Sequence, residues 1–201
     1  MSDLFTLTGT NIVILAKNYN PSIISKEWLY KKNIVRETVT NFVHTPPLSL
    51  VETEHTSFVL DDTRLQISLK GVTAERIESL PSVASRFVSC LPETPFVAVG
   101  FNYSYSVPAE HCLVKALLAP NEAKLKQLFS KEYELGVIMS FAFKSFIVRM
   151  TAPPTVGKTT HMTIDFNFHS DSQGPDEVKK KLELHPETVS RADDIMRGLS
   201  R

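Results

Sequence analysis

Two apolar runs that pass straight into Asn-Tyr constrain the architecture of this chain most. Ile12-Val13-Ile14-Leu15-Ala16-Lys17-Asn18-Tyr19 aligns without a gap on Phe96-Val97-Ala98-Val99-Gly100-Phe101-Asn102-Tyr103, 84 positions further on. Ile12 to Ala16 is unbroken by any polar residue, as a strand must be when both of its faces are covered. Each run is followed by a helical pattern, then strand patterns, then another helix, so both halves read β-α-β-β-β-α. That order predicts an α+β fold: a mainly antiparallel, twisted sheet with helices packed largely on one face. We read residues 1–201 as one domain, divisible into half-units 11–90 and 95–200 that suggest an internal duplication. If the halves are equivalent, Asn18 and Asn102 are expected to superpose.

Local signals fill in the elements. Asn20-Pro21-Ser22 ends the first strand, and Ser25 can cap a helix running through Lys32, with Asn33 at its exit. The span Val39 to Leu69 reads as strands, bent at His44-Thr45-Pro46-Pro47 because proline donates nothing to a ladder. Asp61-Asp62 marks a turn before Leu65, Ile67 and Leu69, which alternate with polar neighbours. Thr73 opens a helix with Ile77, Leu80, Val83, Ala84, Phe87 and Val88 inward; Pro81 predicts two short helices or one bent one.

In the second half, Phe96 to Tyr105 reads as a strand and Asn121 to Phe129 as a helix. Leu135 to Met150 is too long for a single strand, so a bulge or turn is expected near Lys144-Ser145. Met162, Ile164, Phe166 and Phe168 give the clearest two-residue period. Pro175 to Leu184 and Pro186 to Leu199 read as helices, the second with a stripe of Val189, Ala192, Ile195, Met196 and Leu199 that suits packing on its own sheet.

Balanced charge, 22 basic against 22 acidic residues, argues against a nucleic-acid partner, which usually demands a basic excess. Lys179-Lys180-Lys181 lies between acidic residues and reads as a solvated helix face. A chain of this length buries roughly 70% of its unfolded surface and needs no staple. Cys90 and Cys112 form no closely spaced pair. The opening residues carry no signal-peptide pattern, and no apolar run approaches the roughly 20 residues of a membrane span, so no membrane association and a cytoplasmic location are expected.

Catalytic and metal motifs fail on inspection. Val156-Gly157-Lys158-Thr159-Thr160 ends like a phosphate-binding loop, but Ala152 stands where the earlier glycine belongs and Pro153-Pro154 removes two donors, so a hairpin loop is expected. His161, Asp165 and His169 share a strand face, yet positions four apart are about 13 Å apart, too far for one ion. The adjacent His111-Cys112 does not make a nucleophile–base pair, since neighbouring side chains diverge. We therefore expect no metal, no cofactor and no catalytic residue. The ligand-binding candidates are Asn18 and Tyr19 with Asn102, Tyr103 and Tyr105, whose amides and phenols can orient a small polar molecule.

The leading functional expectation is a non-catalytic interaction or assembly protein that forms a homo-oligomer or binds another protein. The alternative is a small-ligand binder or enzyme with a pocket near Asn18 and Asn102. A third reading is clamp-like, because the duplicated order also occurs in sliding-clamp subunits. That resemblance is of fold alone, and acidic residues interrupt the basic helices.

Overall fold

A computed structural model describes residues 4–114, 122–129, 135–154 and 160–200. Its centre is a single nine-stranded sheet: β1 (Thr6–Ala16), β2 (Val39–Thr45), β3 (Leu48–Thr53), β4 (Thr56–Leu60), β5 (Arg64–Leu69), β6 (Phe96–Pro108), β7 (Val137–Phe143), β8 (Phe146–Ala152) and β9 (His161–Asp171). Every neighbouring pair is antiparallel, in the order β2-β3-β4-β5-β1-β6-β9-β8-β7. Each half is a meander whose last strand returns beside its first, and the halves meet where β1 pairs with β6. The first half carries one strand more than its expected pattern, because Pro46-Pro47 bends the chain into a separate β2–β3 hairpin.

The helices are α1 (Lys26–Lys31), α2 (Ala74–Ser89), α3 (Glu122–Phe129), α4 (Gly174–Leu182) and α5 (His185–Leu199). α2 lies against β1 and β5, and α4 and α5 lie against β6. α1 joins the same layer through Trp28, whose ring meets Phe87 edge-on at 5.7 Å. The fold is α+β, as the sequence implies. Ser25 Oγ caps α1 by accepting from Trp28 N at 3.1 Å, and Thr73 caps α2. Pro81 does not divide α2, which runs through it as one helix. Burial of Leu80, Ala84, Phe87 and Val88 on both sides of the proline offsets the lost backbone bond. The turn expected near Lys144-Ser145 joins β7 to β8, with Lys144 at φ 51°. The expected hairpin loop at Val156 to Thr160 falls mostly outside the described residues, as does the start of the Asn121 helix.

Strand register sorts the side chains into two layers. On the helix-covered face one row crosses all nine strands: Phe42, Val51, Phe58, Ile67, Ile12, Phe101, Phe168, Val148, Phe141. The seven inner members are buried. The adjacent row on the opposite face is polar throughout: Asn41, Glu52, Ser57, Ser68, Asn11, Asn102, Asn167, Arg149, Ser140. Alternation with period two puts each row on its own face, and α1, α2, α4 and α5 cover the apolar one.

Candidate functional site

The five ligand-binding candidates divide among three places. Asn18 follows β1 in a left-handed turn, at φ 58°, and is exposed. Tyr19 turns inward: its hydroxyl donates to the Ile14 carbonyl at 3.5 Å and its ring packs edge-on to Phe96. Burial, and secondarily the charge of Asp61, raises its phenol above the usual range. Both residues sit where β1 leaves the sheet, beside the start of β6. Asn102 is six residues further along β6, roughly 20 Å away at a strand's rise.

Asn102 also faces away from its own neighbours. Its Nδ2 donates to Asn11 Oδ1 at 2.7 Å, and its Oδ1 accepts from Asn167 Nδ2 at 2.6 Å. Three amides thus form a chain across β1, β6 and β9 on the open face. Tyr103 and Tyr105 point the other way, into the helices. The Tyr103 hydroxyl pairs with Thr188 Oγ1, and Tyr105 donates to Asp193 Oδ1, each at 2.7 Å. Burial pushes both phenols up, and the Asp193 carboxylate adds to the shift. These tyrosines fasten α5 to β6.

The two aligned runs therefore do not occupy matching positions at the offset that aligns them. Ile12 pairs with Phe101 and Ile14 with Val99, and directly opposed residues share a face. The covered side chains fall at even positions in β1 and odd positions in β6, whereas an offset of 84 preserves parity.

Two surface features remain. One is a shallow depression of about 250 Å³ lined by Asn102, Ser104, Arg149, Thr151, Asp165 and Asn167. Ser104 Oγ donates to Asp165 Oδ1 at 2.6 Å within it. The other is the β7 edge. β7 pairs only with β8 among the described residues and contains no charged residue and no proline. Ile138 on the open face is 66% exposed, Met139 on the covered face 48%, and Ile147 of the neighbouring strand, again on the open face, 61%. On the covered side Arg191 of α5 lies over the Phe141 ring at 6.0 Å, holding the strand to the body.

No family model and no curated protein matches the chain. The site is thus defined by geometry. Sequence reading placed Asp165 on a polar sheet face, as found, but singled out none of Asn11, Asn167 and Arg149 as a site residue. Their signal is the register, which juxtaposes residues 91 and 65 positions apart. The β7 edge was legible only as an apolar stretch, since edge position is a property of strand order. Among the described residues, no helix is long and apolar enough to cross a membrane.

Proposed function

We propose that this protein is a non-catalytic assembly module that forms a homo-oligomer by pairing the β7 edges of two copies. The observation that carries the reading is an uncharged edge strand with exposed Ile138 and Met139, next to exposed Ile147. Unpaired N–H and C=O groups on such an edge template another strand, and soluble proteins usually blunt them with lysine, proline or a bulge. β7 carries none of these. β2, at the other end, has exposed Asn41 and His44 along its length. The stripe on α5 does not contribute, because Ala192 and Met196 are spent on the core. The free thiols of Cys90 and Cys112 fit a reducing compartment such as the cytoplasm.

Antiparallel self-pairing centred on Ser140 sets Met139 against Phe141 and Ile138 against Ala142 of the second copy. No like charges oppose each other in that arrangement. Light scattering between about 1 µM and 1 mM, the affinity span of small interfaces, is expected to show concentration-dependent association. Ile138→Lys is expected to abolish it with little change in melting temperature, since the side chain is exposed. A wild-type chain that stays monomeric throughout, or an Ile138→Lys variant that associates equally, refutes the proposal.

A second reading, a small-ligand site, has the depression beside Asn102 in its favour. Both polar atoms of that amide are already engaged by Asn11 and Asn167, so it is the weaker of the two.

A further inference from the structure

Away from the open face, a groove of about 280 Å³ runs between α2 and the β3–β4 hairpin. Its wall is apolar at Ile34, Val35, Phe58 and Val83, and two guanidinium groups, Arg36 and Arg86, line it as well. Arg86 Nη1 donates to Ser82 Oγ at 2.8 Å, while its Nε is buried and finds no acceptor. Arg36 Nε donates to Asn33 Oδ1 at 3.1 Å. Neither arginine is paired with a carboxylate among the described residues.

The one carboxylate in the groove is Glu37, and it is committed elsewhere: its Oε2 accepts from the His55 backbone N–H at 3.0 Å. Two positive charges against one negative leave the groove one negative charge short. Burial lowers the pKa of Arg86, and repulsion from Arg36 lowers it further, as expected of a cation held beside another without a counter-ion.

We propose that this groove binds a small monocarboxylate with a short apolar body. The carboxylate is the planar acceptor that matches a guanidinium fork. The tail lies over Val83, the half-buried member of the apolar wall, and the volume, at the lower end of small-molecule sites, limits it to a few carbons. A single negative charge neutralises the groove, whereas a phosphate dianion would also meet Glu37. The site is independent of the β7 edge and goes beyond the assembly reading.

The test uses the full chain and three probes at constant ionic strength: isovalerate, its neutral isostere isovaleramide, and inorganic phosphate. Calorimetry and thermal unfolding are expected to show saturable, one-to-one binding of isovalerate and a raised melting temperature. Isovaleramide is expected to give neither effect, and phosphate to bind more weakly than isovalerate. Arg36→Gln alters an exposed side chain and so leaves the fold intact; it is expected to weaken isovalerate about 10- to 100-fold, the range for losing a charge-assisted bond. Glu37→Gln is expected to raise phosphate affinity. The proposal is overturned if isovalerate does not bind, if isovaleramide or phosphate binds as well as isovalerate, or if Arg36→Gln binds isovalerate undiminished.

Discussion

One buried ring should make this protein sensitive to acid. His185, the first residue of α5, is 0% exposed and packs edge-on to Phe101 at 5.1 Å and against Tyr103 at 5.8 Å. Neither ring nitrogen has a hydrogen-bond partner. Burial in this apolar setting pulls its pKa down from the ordinary 6.5 to about 4. The unfolded chain therefore binds a proton near pH 6.5 that the folded chain refuses until about pH 4. Between those values the unfolded state holds more protons, so stability rises with pH and is lost on acidification. The contribution is fully present above pH 6.5.

At 1.36 kcal/mol per pKa unit, going from pH 7.5 to pH 4.5 should cost about 2–3 kcal/mol through this residue alone. His185→Leu removes the titration while keeping the site apolar. Urea unfolding of both proteins at several pH values isolates the term, because the carboxylates common to the two cancel. Trp28, packed on Phe87, is a suitable fluorescent reporter. The variant is expected to gain on the wild type by about 2–3 kcal/mol across the window. Parallel pH profiles for the two proteins would refute the argument, since they would mean that the folded state protonates His185 at no cost.

Two further substitutions test the two layers of the fold. Phe101→Ala empties the middle of the covered row, where the ring also meets Phe146 at 5.3 Å; it is expected to cost about 3–5 kcal/mol in urea unfolding. A loss below about 1 kcal/mol would contradict the packing described. Tyr105→Phe removes the donor to Asp193 and is expected to cost about 1–2 kcal/mol, read as a lower melting temperature. An unchanged melting temperature would show that this bond does not hold α5 down.

Periodicity carried most of the fold into view. Apolar alternation at Leu65 to Leu69 and Met162 to Phe168 located strands and told which side is wet, because the two-residue period is written directly into the side chains. Caps at Ser25 and Thr73 marked helix starts through single local bonds. Pro81 left open two helices or one bent one because its penalty is local, whereas the burial that keeps α2 whole depends on the sheet beneath it. The candidate site was far less legible. Asn18 and Asn102 share a sequence context but not a strand position, and alternation turns Tyr103 to the face opposite Asn102. The contacts of Asn102 run to Asn11 and Asn167, which only strand order and register bring beside it. The two arginines of the α2 groove likewise come from a loop and a helix 50 positions apart. Residues gathered across such separations leave no spacing that one sequence can display.

The two sheet edges decide what kind of assembly is open to this fold. Pairing β7 with β2 of the next copy would be heterologous and would repeat without end, giving a filament. Pairing β7 with β7 uses the same strand twice about a twofold axis, and it leaves only β2 edges at the outer ends. β2 is the more polar strand; its Phe42 is already stacked with His44 and lies beneath the Lys26 ammonium at 5.9 Å. Growth by β7 self-pairing therefore stops at two copies. The species formed at high concentration should have twice the chain mass of 22.6 kDa, with no larger series behind it. A continuous ladder of oligomers in light scattering would mean that β2 also pairs, and the closed geometry would then be wrong even though the β7 edge is used.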